Sequence, residues 1–355
     1  MGAARDLAER PLVPRRKPAP APAASLETLR AEKDAPFENA LRPRVLREYI
    51  GQARVKKVLA TAIRAARGRK EPLDHVLLHG GPGLGKTTLA MILARELDVR
   101  LHVTSGAALD RGADVLAQLN DLQPREVLFV DEVHRLKKPV EELLYPALED
   151  FRVDIAVGKG ASARVLRLPV EPFTMVGATT RLGVLSAPLR NRFGLVLRLE
   201  PYEPADLRAI VLASAGRLGV ELDAAAADEL AGRARGTPRI ANHLLKRSRD
   251  WAQAHGDKRI TADDVRGALA DLGIDADGLD EMDRRLLDLL VNRYGGGPVG
   301  LRTLSIAAGE EPETVEEFYE PWLIQAGFLM RTSQGRRATP IAQNRFGTTR
   351  TGGHA

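Results

Sequence analysis

Apolar residues first recur at helical spacing over 45–69, at Val45, Leu46, Tyr49 and Ile50, then at Val55, Val58, Leu59, Ala62 and Ile63, with Gly51 interrupting. A short apolar run at 76–78 ends in glycines and predicts a buried strand. Similar runs at 101–103, 127–130, 173–176 and 195–199 are separated by helical stretches. Strands that alternate with helices predict an α/β fold with a parallel sheet covered on both faces. Between Phe151 and Leu168 the period drops to two, through Val153, Ile155 and Val157, then Val165 and Leu168, around Gly158-Lys159-Gly160. That pattern predicts an inserted β-hairpin at about 152–168.

Beyond Pro204 the spacing is helical at 204–218, 224–234, 237–255 and 261–271, which predicts a small all-α domain. One more helix is expected at 280–294, closed by the breaker cluster Gly295-Gly296-Gly297-Pro298. Helical patterns at 300–308 and 313–326 then precede two short strands, 328–331 and 336–339, that flank Ser333-Gln334-Gly335. Two helices and a basic hairpin predict a winged helix, a variant of the helix-turn-helix. Residues 1–24, rich in Ala, Pro and Arg, have the composition of an extended, disordered leader.

Composition narrows the function classes. A chain of 355 residues with 44% hydrophobic and 28% charged side chains suits a multidomain globular protein. No stretch approaches the roughly 20 apolar residues of a membrane span. The absence of cysteine removes disulfides, thiolate nucleophiles and cysteine-ligated zinc. The leader lacks an apolar core of the secretory kind, so a cytoplasmic protein is expected. The net charge of +6 is concentrated at the ends: residues 331–355 hold five Arg and no acid. Such a basic end points to a polyanion.

The chemistry lies in two segments. Gly80-Gly81-Pro82-Gly83-Leu84-Gly85-Lys86-Thr87 follows a predicted strand and opens a predicted helix. In such a loop, glycines such as Gly83 and Gly85 let backbone N–H groups point at phosphate oxygens, and the Lys86 ammonium reaches the terminal phosphates. The Thr87 hydroxyl takes a Mg²⁺ position, and the helix running from Thr88 adds its positive dipole end. The apolar strand at 127–130 ends in Asp131-Glu132, which supplies a Mg²⁺-shell carboxylate and a base for the attacking water. The expected reaction is ATP hydrolysis with Mg²⁺.

In order along the chain, this loop, Asp131-Glu132-Val133-His134, Gly177-Ala178-Thr179-Thr180-Arg181, Pro188-Leu189-Arg190-Asn191-Arg192-Phe193-Gly194 and Gly236-Thr237-Pro238-Arg239 resemble the AAA+ ATPases. More narrowly, 37–346 resembles the RuvB family of Holliday-junction motors. The resemblance implies a P-loop AAA+ core over 25–200, a helical lid over 201–275 and a winged-helix DNA-binding domain over 276–346, followed by a tail, 347–355. It further implies a homohexameric ring around duplex DNA that migrates Holliday junctions in recombination and repair. Its implied partners are the junction-binding protein RuvA, docked on the hairpin, and a junction resolvase.

Carried over by the same resemblance, Thr180 is similar to the polar sensor of the γ-phosphate. Arg239 is similar to the lid's sensor arginine, and Arg192 to the finger that reaches the neighbouring subunit's ATP. Leu41, Arg42, Glu149, Asp150, Phe151 and Tyr202 match positions around the adenine and ribose. Arg331 and Arg336 match the wing's DNA contacts, with Arg302 as a further candidate. Phosphate contacts of this kind give affinity without sequence preference, as a sliding motor needs. Departures are Lys159, where an acidic or neutral tip residue is expected, and Asn191 in place of Asp. The motifs alone also admit a clamp-loader subunit, a non-hydrolysing DNA-binding regulator or a protein remodeller.

Overall fold

The five apolar runs form one parallel sheet from β1 (Val76–His79), β2 (Leu101–Ser105), β3 (Val127–Asp131), β6 (Thr174–Thr179) and β7 (Leu195–Arg198). Its strand order is β2-β3-β6-β1-β7. The structure is a computed structural model that describes residues 35–157 and 164–347. The leader 1–24, the hairpin tip 158–160 with Lys159, and the tail beyond 347 therefore lie outside the described residues.

Sheet and helices interlock by strand alternation, because successive side chains point to opposite faces. Val76, Leu78, Val127, Phe129, Val176 and Ala178 point to one face, where they meet Val55, Leu59 and Ile63 of α2 (Ala53–Arg69) and Leu89, Ile92 and Leu93 of α3 (Lys86–Leu97). Leu77, Leu128, Val130 and Met175 point to the other, against Val115 and Leu119 of α4 (Gly112–Asp121) and Val140 and Leu144 of α5 (Lys138–Asp150). The core also carries α1 (Ala35–Leu41) and α6 (Ala187–Arg190). The inserted hairpin forms as β4 (Arg152–Val157) and β5 (Arg164–Pro169), antiparallel. Val153 anchors its base in the core, whereas Val165, Leu166 and Leu168 stay exposed.

Four lid helices follow: α7 (Pro204–Leu218), α8 (Ala224–Arg233), α9 (Pro238–Ala254) and α10 (Ala262–Asp271). A parallel pair of two-residue strands, β8 (Glu221–Leu222) and β9 (Arg259–Ile260), ties them together, and no periodicity announced it. The lid's apolar side chains merge with the α2/α3 face into a single cluster.

The last unit has its own core around Leu286, Leu290, Leu304, Tyr319, Leu323 and Leu329. The helix expected at 280–294 is α11 (Glu281–Asp288), continued by wider π-type turns through Arg293. Next come α12 (Leu301–Ala308) and a composite helix of α13 (Pro312–Thr314), π-type turns at Val315–Tyr319 and α14 (Glu320–Gln325). The wing is β10 (Leu329–Thr332) paired with β11 (Gly335–Ala338), and Val299 bridges to Arg336 along its edge. A final helix, α15 (Pro340–Phe346), was not expected and closes this core through Ala342.

Candidate functional site

The sheet order sets the geometry of the site. Strand β6 lies between β1 and β3, so the phosphate loop after β1, Thr179-Thr180 at the end of β6 and Asp131-Glu132 at the end of β3 converge at one edge. Gly80 N donates to Thr179 O at 3.2 Å and locks the loop's start to the end of β6. Two loop glycines are required by both conformation and space. Gly83 has φ +73° and a side chain there would meet Thr237 Cγ2 at 2.6 Å, and Gly85 has φ +99° with Tyr49 Oη at 2.5 Å.

Lys86 is the first residue of α3 and is nearly buried, with Nζ donating to Gly80 O at 2.9 Å and Gly81 O at 2.7 Å. Burial lowers its pKa to about 8, partly offset by the charge of Asp131. Thr87, Thr88 and Asp131 are half-buried, while Glu132 is exposed and pairs with Arg135 at 3.0 Å. The Thr87 hydroxyl and the Asp131 carboxylate are hard oxygen donors, a set that suits Mg²⁺ when phosphates and water complete the shell.

Thr179 is buried at the strand end and Thr180 is exposed one step beyond it. Thr179 Oγ1 lies 3.0 Å from His134 Nδ1 and accepts from Arg181 N at 3.0 Å.

A recess behind the loop is lined by Leu41, Arg42, Tyr49, Gly85, Thr88, Tyr202, Pro238 and Asn242, so core and lid share it. Burial lowers the Arg42 pKa, opposed by the charge of Glu38. Tyr202 Oη reaches Tyr49 Oη at 2.9 Å, and Tyr49 Oη donates to Leu84 O at 3.2 Å. Tyr202 thus also braces the phosphate loop. Tyr49, placed by the sequence only in an apolar stripe, is its second brace, and its position four residues before α2 gave no signal of that role. Arg239, at the start of α9, touches the loop at Gly83 and pairs with Glu38 at 2.7 Å.

Arg192, Glu149, Asp150 and Phe151 are not brought to this edge. Arg192 stacks on the Tyr145 ring at 4.4 Å and pairs with Glu149 at 2.9 Å, and Asp150 ends the same helix, α5. Arg192 and Phe151 line a recess with Asp74, His75 and Gly194, at the amino ends of β1 and β7. The phosphate loop leaves the carboxyl end of β1, so at least the strand's length of about 13 Å separates the two. The two recesses share no lining residue.

Three stretches match the family profiles described as "Holliday junction DNA helicase RuvB P-loop domain" over 41–199, "RuvB AAA lid domain" over 202–275 and "RuvB C-terminal winged helix domain" over 276–347. The chain belongs to the RuvB family. It is 55% identical over 312 residues to the Holliday junction branch migration complex subunit RuvB 2 of Synechococcus sp. (strain JA-3-3Ab), with 88% of this chain and 84% of that one covered. It is 54% identical over 316 residues to the RuvB subunit of Enterococcus faecalis, with 89% and 94% covered. The solved structure of the Thermotoga maritima RuvB Holliday junction branch migration motor superposes with a TM-score of 0.78 at 49% identity, over 86% of this chain and 98% of that one.

In this RuvB-family chain the wing arginines are not free. Arg336 Nε donates to Glu320 at 2.5 Å and Arg331 Nε at 2.7 Å, and Glu316 pairs with both guanidinium groups at 3.6 and 3.3 Å. Glu320 is fully buried and Arg336 largely so. Arg337, next in the strand and passed over by sequence reasoning, is exposed with no ion pair among the described residues, as is Arg302 on α12. The alternation of β11 was the signal: with Arg336 facing inward, Arg337 must face out.

Proposed function

We propose that this RuvB-family ATPase is a double-stranded DNA translocase that migrates Holliday junctions as a homohexameric ring, each nucleotide bound at a subunit boundary. The observation that carries this reading is the separation of Arg192 from its own phosphate loop by the length of the sheet. An arginine on the opposite edge serves a neighbour's ATP when subunits stack in a ring. Glu149, Asp150 and Phe151 share that edge, so they too are read as contacts to the neighbour's nucleotide.

Within one subunit, the loop's N–H groups and Lys86 hold the β- and γ-phosphates, and Leu41, Arg42 and Tyr202 frame the base and ribose. Glu132 orients and deprotonates the attacking water, Thr180 senses the γ-phosphate, and Arg239 ties the lid to it. Thr87 and Asp131 would hold Mg²⁺, whose charge neutralises the phosphate oxygens when bound.

Each hydrolysis cycle then moves lid and winged helix against the core and draws duplex DNA through the ring. Arg302, Arg331 and Arg336 are read as DNA contacts with Arg337 beside them. The exposed Val165, Leu166 and Leu168 of the hairpin suit an apolar seat on RuvA. A junction resolvase is a further partner, and the place of work is the cytoplasm beside the nucleoid.

The test is a synthetic four-way junction with purified protein, RuvA and ATP·Mg²⁺. Separation into two duplexes is expected, and an intact junction with ATP consumed would overturn the reading.

A further inference from the structure

The acids of the composite helix form two adjacent stripes, because residues three and four apart share a helix face. Glu313 and Glu317 pair with Arg181 of the ATPase core, Glu313 at 3.5 Å and Glu317 more closely. Glu316 and Glu320, on the next stripe, hold the wing through Arg331 and Arg336. The same rod therefore grips both a turn of the catalytic edge and the wing. Arg181 is the residue after Thr180, and its backbone N–H donates to Thr179 Oγ1 at 3.0 Å, whose other partner is His134, two residues after Glu132. The rod also faces the phosphate loop across a gap: Glu317, Phe318, Pro321 and Trp322 line one cavity of about 260 Å³ with Gly81 and Gly83 of the loop and with Arg239.

We propose that this acidic rod couples DNA at the wing to hydrolysis, with Arg181 as the positioning residue that fixes the Thr179-Thr180 turn. The inference rests on the ATP-driven reading above and adds its regulation by DNA. Four carboxylates within about two turns repel one another unless cations sit among them. When a DNA phosphate draws the half-exposed Arg331 toward itself while Arg336 stays on the buried Glu320, the rod loses positive charge and becomes more negative. Its hold on Arg181 then tightens, since carboxylates three and four residues apart on a helix are neighbours at about 5–6 Å between Cβ atoms, inside the screening length of about 8 Å. The turn that reads the γ-phosphate is thereby steadied, and turnover rises.

The test compares ATP turnover with and without duplex DNA in the full-length protein, for wild type, Arg181→Ala, Glu317→Gln and the charge swap Arg181→Glu with Glu317→Arg. Wild type should show a stimulation of roughly fivefold or more, and both single variants should lose most of it. Their DNA affinity by fluorescence anisotropy and their ATP affinity should stay within about twofold. The swapped pair should recover stimulation that Arg181→Glu alone lacks, and Arg181→Lys should retain part of it. A merely structural role would lower basal turnover and thermal stability along with stimulation, whereas the coupling lowers stimulation alone. Stimulation persisting in both single variants overturns the coupling, and so does loss of basal turnover in Arg181→Ala, which would place Arg181 in the chemistry itself. No ATP turnover by wild type would instead sink the ATPase reading beneath it.

Discussion

At the scale of single residues, the phosphate lysine is tuned by burial. Lys86 in the free protein titrates near pH 8, whereas bound phosphates favour its ammonium form, so binding above that pH must take up a proton. ATP affinity is therefore expected to be full below about pH 8 and to weaken above it, by up to about tenfold per pH unit. Titration calorimetry from pH 7 to 9.5 checks this, and Lys86→Arg should flatten the profile because guanidinium stays charged. Arg192 makes a different prediction. Since it stands one sheet-length from its own phosphate loop, Arg192→Ala should bind ATP normally and hydrolyse it about a thousandfold more slowly. Rings mixed from Arg192→Ala and Lys86→Ala subunits should regain part of the turnover, because some boundaries then carry both groups.

At the scale of elements, the phosphate loop is shaped from outside as much as by its own glycines. Gly83 faces the first turn of α9, with Thr237 Cγ2 and Arg239 Cβ at 2.6 and 3.0 Å from any added methyl. Gly83→Ala should add about 1–2 kcal/mol of backbone strain and push the lid off the loop. Nucleotide affinity should fall by about tenfold or more, which fluorescent-nucleotide titration would read. In the wing, adjacent arginines should separate cleanly. Arg336→Ala leaves the buried Glu320 short of a cation and should destabilise the winged helix by on the order of 3 kcal/mol in urea unfolding. Arg337→Ala should leave stability within about 0.5 kcal/mol. It should instead weaken DNA binding and lower the salt slope by about one.

For the whole molecule, the junction between lid and winged helix is ionic. Arg235, just before Gly236-Thr237, is buried and pairs with Asp283 at 2.6 Å and Asp280 at 3.3 Å. Burial pushes the Asp283 carboxyl up to about 7, against the pull of Arg235. Removing that guanidinium strands two carboxylates in the interior, so Arg235→Ala should cost about 3–5 kcal/mol and split thermal unfolding into two transitions by calorimetry. A single unshifted transition would show that the junction does not hold the domains together. The Arg235 pairs and the Arg181 pairs hold the winged helix at two points, one on the lid and one on the core, rather than as a bead on a linker.

The sequence alone determined the order of the longer strands and helices as far as the wing, because period and punctuation are local properties of the chain, though it missed the closing helix α15. It also located the phosphate loop and the Asp131-Glu132 pair, since backbone N–H groups and a strand-end carboxylate need only neighbouring residues to be set in place. The two-residue strands β8 and β9 were invisible because they are too short to carry a period. Which strand lies between which, and that Arg192 stands at the opposite end of the strands from its own phosphate loop, was decided only by the sheet. The bracing of the loop by Tyr49 and Tyr202, 153 residues apart, and the capture of the wing arginines by Glu320 were likewise tertiary. Burial and ion pairing depend on which distant side chains exclude water together, and no local spacing encodes that.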